Sequence, residues 1–215
     1  MTIVDVGCGQ GGFTVALAKT VAKNGKVVSV DVSNEYQAEF TERLERHAIR
    51  DRVTFVQADA ANLKGVLPSG AADVVASYRL IEELKDCHDM PKVVGEMIRI
   101  TRIGGRTCLV EMSTEAENKA EEVYIRLHRE SGDCFFPKEQ IAEVMKLHGL
   151  AEIRVDEVKS HVWLSPGLAK QNLSHAQVWF DSKVARKLGS LIESHGMKYP
   201  KFLIFSGYKH EESPN

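Results

Sequence analysis

Apolar residues along this chain follow two alternating spacings. Thr2 to Val6, Lys26 to Val30, Arg52 to Gln57, Ala72 to Ser77 and Thr107 to Glu111 are short runs rich in β-branched residues, as buried strands are. Between them the spacing becomes helical, over Phe13 to Val21, Glu35 to Ala48 and Met90 to Thr101, with a shorter helical stretch at Ile81 to Leu84. Tyr36, Phe40, Leu44 and His47 fall on one stripe of the second helix. Glycines at Asn24-Gly25 and Gly104-Gly105 supply helix stops. The run Val27 to Val30 is nearly all apolar, which suits a strand covered on both faces. Strand alternating with helix predicts a doubly wound, Rossmann-like α/β fold: a seven-stranded, mostly parallel sheet with helices on both faces and a ligand at the carboxyl ends of its strands.

The remaining elements are helices from Glu115 to Arg129 and Lys138 to His148, a sixth strand from Glu152 to Lys159 and a last strand from Phe202 to Tyr208. A helical insertion at about 164–197 interrupts the pattern, with Val178, Phe180, Val184, Leu188 and Leu191 at helical spacing, and the tail after His210 is expected to fray. The 215 residues are read as one domain.

Composition narrows the class. With 43% hydrophobic and 27% charged residues the chain reads as an ordinary globular protein. No apolar run approaches the roughly 20 residues that cross a bilayer, and the N-terminus lacks a basic-then-apolar signal layout, so a cytoplasmic location without membrane partners is expected. Cys8, Cys87, Cys108 and Cys134 lie far apart and are expected to be free thiols, with no metal site. A net charge of −2 does not advertise nucleic-acid binding. Acids nevertheless dominate Glu115 to Glu157 and lysines dominate Lys159 to Lys209, giving either a solvated basic face or a patch for an anionic substrate.

The chemistry starts where the first strand meets Gly7-Cys8-Gly9-Gln10-Gly11-Gly12. Glycines there let backbone approach a ligand, and the helix start offers unpaired N–H groups to something nucleotide-like. Gly7, Gly9 and Gly12 fit the dinucleotide spacing G-x-G-x-x-G, whereas Asp5, Gly7, Gly9 and Gly11 give D-x-G-x-G-x-G. Asp31, ending the second strand, has the reach to accept hydrogen bonds from both ribose hydroxyls of either nucleotide.

Taken together, Val4-Asp5-Val6-Gly7-Cys8-Gly9-Gln10-Gly11, Val28-Ser29-Val30-Asp31, Ala58-Asp59-Ala60, Ala72 to Ser77 and Ile98 to Arg106 resemble the successive motifs of class I S-adenosylmethionine (SAM) dependent methyltransferases. The resemblance covers about residues 2–160 and implies methyl transfer by in-line displacement from SAM. It places Asp5 near the methionine end, Asp59 on the adenine amine, and further cofactor contacts at Gly7, Cys8, Gly9, Gly11, Val32, Ala60 and Ser77. Acceptor-side residues should follow the fourth strand: Tyr78 and Arg79 to orient the acceptor, Glu82 or His88 as base if one is needed. His161, Trp163 and Tyr199 are weaker candidates, and Trp163 is expected to serve packing. The tetrapeptide [D/N]-P-P-[Y/F] of many amino-methylating enzymes is absent after strand four. That lowers the amino-methylating reading, and near-neutral charge with modest size favours a small-molecule acceptor, with RNA or protein behind it.

The family usually places helices ahead of the first strand, whereas here that strand starts at Thr2. Either residues precede it in the full protein, or another element, for which we take the 164–197 insertion, covers the site. The same departure leaves room for a non-catalytic SAM-binding or partner-binding domain, and Gly12 leaves room for an NAD-dependent oxidoreductase.

Overall fold

The computed structural model describes residues 1–175 and 182–210, with side chains left out of account at 172–182. Val178 and Phe180 of the expected insertion helix, and the tail after His210, lie outside the described residues. Strands β1 (Thr2–Val6), β2 (Lys26–Asp31), β3 (Val53–Gln57), β4 (Ala72–Tyr78), β5 (Thr101–Met112) and β6 (Leu150–Val158) form one sheet with β9 (Phe202–Lys209). A separate pair, β7 (Trp163–Leu164) and β8 (Met197–Lys198), brackets the insertion. The main sheet runs β3-β2-β1-β4-β5-β9-β6, and only β9 opposes its neighbours. The seven-stranded, mostly parallel sheet matches the expectation from hydrophobic spacing.

Helices α1 (Gly12–Thr20), α2 (Gln37–Arg46), α3 (Met90–Ile100), α4 (Lys119–Ser131) and α5 (Lys138–Leu147) cover the sheet, and α6 (Pro166–His175), α7 (Ser182–Lys187) and α8 (Gly189–His195) form the insertion. Strand side chains alternate between faces. Ile3 and Val27 accordingly bury against Val15 and Ala18 of α1 and Phe40 and Leu44 of α2. Val4, Val6 and Val75 point the other way, to Val94 and Met97 of α3 and Met145 of α5. Full burial of each such side chain contributes about 1.5–3 kcal/mol. Lys209 closes α3 by donating to the carbonyls of Ile98, Arg99 and Thr101 at 2.9–3.0 Å, a cation at the negative end of a helix.

Three expectations change. The fifth strand starts at Thr101 rather than Thr107, because Gly104 and Gly105 sit inside a β-bulge against β4 instead of separating helix from strand. The thiols are not all free: Cys87 and Cys134, 47 residues apart, are joined by a disulfide, while Cys8 and Cys108 remain thiols. The fold brings the turn after β4 beside the end of α4, a proximity that sequence spacing hides. The lysine-rich segment is also no open basic patch. Lys159, Lys187, Lys198 and Lys201 pair with Glu117, Glu130, Glu121 and Glu157, so much of the charge asymmetry is neutralised where the two segments pack.

Candidate cofactor and acceptor site

The chain order of the sheet reverses between β1 and β4, and the register brings their ends level. Val6 pairs with Val30 on one side and Ser77 on the other, while Asp31 pairs with Gln57. The turns after β1, β2, β3 and β4 therefore open on one edge, at the switch point where such folds hold ligands. A cavity of about 890 Å³ lies there. That is the upper end of the ~300–1,000 Å³ usual for ligand pockets, which suits a nucleoside cofactor with a small second molecule.

One wall is the glycine loop. Gly7 and Cys8 donate from backbone N–H to the Val30 carbonyl at 2.8 and 3.0 Å, and Gly11 donates to Cys8 at 2.8 Å. Gly7, Gly9 and Gly11 all have φ between +46° and +80°, in the left-handed region that side chains avoid. Gly12 does not share that conformation, and a Cβ on it would meet nothing within 4 Å, so the structure demands the D-x-G-x-G-x-G glycines and not the third glycine of a dinucleotide loop. A Cβ on Gly11 would lie 2.6 Å from the Phe40 ring.

Asp31 both builds and lines the cavity. Its carboxylate accepts from Gly9 N–H at 2.8 Å and Ser33 N–H at 3.0 Å, one bond to each oxygen. An ionised carboxylate has about four acceptor sites, so two remain for a ribose diol. Asp59 lines the cavity from the β3 side, with Oδ1 accepting from Ala61 N–H at 2.9 Å. Gly7, Cys8, Gly9, Val32 and Ala60 line it as well. Burial pushes the Cys8 thiol up, which leaves it protonated and unreactive.

Three expected cofactor residues are not on the cavity wall. Asp5 lies on the α1 face of β1, fully buried, where it accepts from the Thr14 hydroxyl at 2.5 Å. Burial raises its pKa to about 7. Ser77 shares the face of β4 that Val75 takes, its Oγ buried and without a hydrogen-bond partner among the described residues. Gly11 sits behind the wall, over Phe40. Strand alternation sets Asp5 on the face of Ile3 and Ser77 on the face of Val75, beneath the covering helices.

Tyr78 and Arg79 form the opposite wall. The Tyr78 ring lies 5.6 Å from Phe13 on one side and 5.6 Å from Phe202 on the other. Arg79 has φ +55°, a strained conformation for a residue with a side chain. Its Nε donates to Glu82 and its Nη2 to the Tyr124 hydroxyl at 3.2 Å, and its guanidinium lies over the Tyr199 ring. Leu80 packs on the Cα of Gly7, joining the two walls. Glu82 is 3% exposed and lies behind Arg79, so it positions that cation and does not face the cavity. Beneath it Glu111 accepts from Ile81 N–H at 3.2 Å, its pKa raised to about 8 by burial and then by the Glu82 charge.

His88 is set aside as a base: its ring turns to Asp86, with 96% of the side chain exposed, and it does not line the cavity. Trp163 is 56% exposed rather than packed, and neither it nor His161 lines the cavity. Tyr199 does join the site, as the ring beneath Arg79. Among the described residues the insertion contributes nothing to the wall. Ala169, Leu188 and Ile192 pack on Val123 and Leu127 of α4, so these residues of the insertion sit away from the cavity. Sequence reasoning missed Tyr36, Glu83 and Lys85, which line the cavity. Tyr36 carries the same helical spacing as the buried Phe40 and Leu44, so periodicity alone reads it as core.

A family profile described as "Methyltransferase domain" matches residues 1–161. Curated relatives include the ubiquinone/menaquinone biosynthesis C-methyltransferase UbiE of Proteus mirabilis, 27% identical over 57% of this chain and 47% of that protein. The demethylmenaquinone methyltransferase of Desulfitobacterium hafniense is 30% identical over 53% of this chain and 43% of that protein. The chain thus spans about half the length of the curated relatives it matches. Among solved structures, the YcgJ protein of Bacillus subtilis superposes with a TM-score of 0.74 at 15% identity, covering 98% of this chain and 92% of that one. The geranyl diphosphate C-methyltransferase of Streptomyces coelicolor gives 0.61 at 16%, covering 97% and 72%. A [4+2]-cyclase, SpnF, gives 0.67 at 19%, covering 97% and 75%. The family match over most of the chain, on a glycine loop whose geometry rejects the dinucleotide pattern, decides the identity: this chain belongs to the class I SAM-dependent methyltransferases.

Proposed function

We propose that the protein transfers a methyl group from SAM to a small-molecule acceptor held between the glycine loop and the Tyr78-Arg79 wall. The observation that carries this reading is one continuous cavity joining Asp31 and Asp59 to Tyr78 and Arg79. When bound, SAM would supply a sulfonium methyl open to in-line attack by an acceptor atom, with S-adenosylhomocysteine as the leaving group. The residues around it have to bind, align and exclude water. Asp31 takes the ribose diol on its two free acceptor sites, and Asp59 faces the adenine. Tyr78 presents an aromatic face to the acceptor. Arg79, clamped by Glu82 and Tyr124, orients it and disfavours its positive forms. A side chain that removes a proton is needed only for an acceptor protonated at the working pH.

Small acceptors fit the size of the cavity, and the two curated relatives are named for quinone-pathway methylations. RNA is disfavoured because the lysines of the second half are spent on ion pairs within the protein. A cytoplasmic location stays part of the proposal. The fold alone does not dictate methyl transfer, since the SpnF cyclase shares it, and a binder without turnover is the second reading. Calorimetry with S-adenosylhomocysteine and with NAD tests the cofactor, and methyl release from labelled SAM in the presence of a small-molecule extract tests turnover. Binding of S-adenosylhomocysteine with methyl release supports the enzyme. Binding without release supports the binder.

A further inference from the structure

We propose that the Cys87–Cys134 disulfide is a redox switch on the cofactor cavity, closed when oxidised and loosened when reduced. The inference rests on the reading of that cavity as the SAM site. Residues 80–89 form one side of it: Leu80, Glu83, Leu84, Lys85, Asp86 and Asp89 all line the wall. This segment is two short 3-10 turns, Ile81–Glu83 and Cys87–Asp89, with no regular helix or strand to stiffen it.

Its near end is anchored to the sheet. Arg79 N–H donates to the Val110 carbonyl at 2.8 Å, Ile81 N–H to Glu111 at 3.2 Å, and the Glu82 carbonyl accepts from Cys134 N–H at 2.9 Å. Past Glu83 the hydrogen bonds of the segment are mostly local: Leu84 to Ile81, Asp89 to Asp86, His88 to Asp86, and Lys92 to Asp89, while the Leu84 carbonyl lies 3.3 Å from Cys134 Sγ. Leu84 packs against the core and Met90, at the start of α3, is fully buried; between them a covalent tie runs from Cys87 to Cys134, a residue 3% exposed just past α4. Asp86 and Asp89 line the same cavity as Asp59. Holding them in place therefore shapes the wall of the cavity that Asp59 shares.

The chemistry is accessible from one side, because Cys87 is exposed while Cys134 is buried. A dithiol opens the bond in two steps. Its thiolate attacks the Cys87 sulfur, breaking the S–S bond and releasing the Cys134 thiolate, which takes up a proton. The second thiol of the reagent then displaces Cys87, leaving two protein thiols and one oxidised reagent. A small disulfide such as oxidised glutathione runs the reverse, accepting the two electrons and leaving as two thiols. In a reducing compartment disulfides are chiefly transient or redox-sensing, and a bond tethering the wall of a ligand cavity is placed to act that way.

The test is calorimetry with S-adenosylhomocysteine on the full chain after oxidation by glutathione disulfide and after reduction by dithiothreitol, with thiols counted and far-UV melting recorded for each. The oxidised form should bind about tenfold more tightly, within the range usual for coupled sites. The double variant Cys87→Ser with Cys134→Ser should bind like the reduced protein and ignore dithiothreitol. By linkage, saturating S-adenosylhomocysteine should shift the thiol–disulfide equilibrium in a glutathione buffer toward the disulfide by the same factor. Equal affinities in the two states overturn the switch and leave the cofactor site standing. So does a thiol count showing that the pair stays reduced in the oxidant. Reduction that melts the whole fold at the assay temperature overturns it too, making the bond a structural staple. Binding to neither form overturns the site and the switch together.

Discussion

The two walls of the cavity are built by different means. On the β1–β3 side each functional group is fixed by backbone close in sequence or on a neighbouring strand: Gly7 and Cys8 on Val30, Gly9 on Asp31, Asp59 on Ala61. On the β4 side Arg79 depends on Tyr124, 45 residues away, and on the ring of Tyr199, while the turn beyond it is tied by the Cys87–Cys134 bond. The first wall is a local device. The second is assembled from distant parts of the chain, and in the proposed function it is the wall that meets the acceptor.

Substitutions that separate the walls should show this. The largest effect is expected at Gly11→Ala, where a positive φ combines with a 2.6 Å approach to Phe40. It should destabilise the protein by about 2–4 kcal/mol in denaturant unfolding, whereas Gly12→Ala should stay within about 0.5 kcal/mol. Equal costs at the two positions would return the loop to the dinucleotide pattern. Next, Arg79→Ala should lower kcat/KM for the methyl acceptor by about 100-fold through lost positioning, with S-adenosylhomocysteine affinity little changed. Asp31→Ala should do the reverse, weakening S-adenosylhomocysteine by about 1–3 kcal/mol. A cofactor defect at Arg79 as large as that at Asp31 would mean that the walls do not divide the work.

Smaller effects follow from the buried acids. The pKa of Asp5 is raised to about 7 and that of Glu111 to about 8, so between the ordinary carboxylate range and those values the folded protein holds protons that the unfolded chain has released. Each group then makes stability fall as pH rises from about 4 to its folded value, by at most about 1.4 kcal/mol per pH unit, and levels off above it. Asp5→Asn and Glu111→Gln should each flatten that decline in unfolding midpoints measured from pH 5 to 8. A variant with the same slope as the parent would place the acid in a wetter setting than the structure shows. The smallest effect is at His88→Ala, which should leave kcat within about twofold, since the ring faces solvent.

Much of the fold was legible because hydrophobic period reports burial directly, and the strands end where the glycines and acids are. The place of Asp31 on the cavity wall was readable for the same reason, at the end of a strand next to the glycine loop. That Asp5 lies off the wall was not, because its position in the motif says nothing of which face of β1 it takes. Glu82 and His88 were candidates by proximity in sequence, yet one turns behind Arg79 and the other into solvent. Tyr124 and the Cys87–Cys134 bond have no local signature, and Tyr199 has only its place beside the insertion, since each meets Arg79 or the turn after β4 only when α4, the residues before β9 and that turn come together.

The central claim is that one cavity holds the cofactor on the Asp31 wall with its reactive end at Tyr78 and Arg79. A crystal structure with S-adenosylhomocysteine bound tests it most directly. The ribose hydroxyls should lie within hydrogen-bond distance of Asp31, the adenine beside Asp59, and the sulfur facing Tyr78. Density for the ligand away from Asp31, or with its sulfur at the opposite end of the cavity, would contradict it.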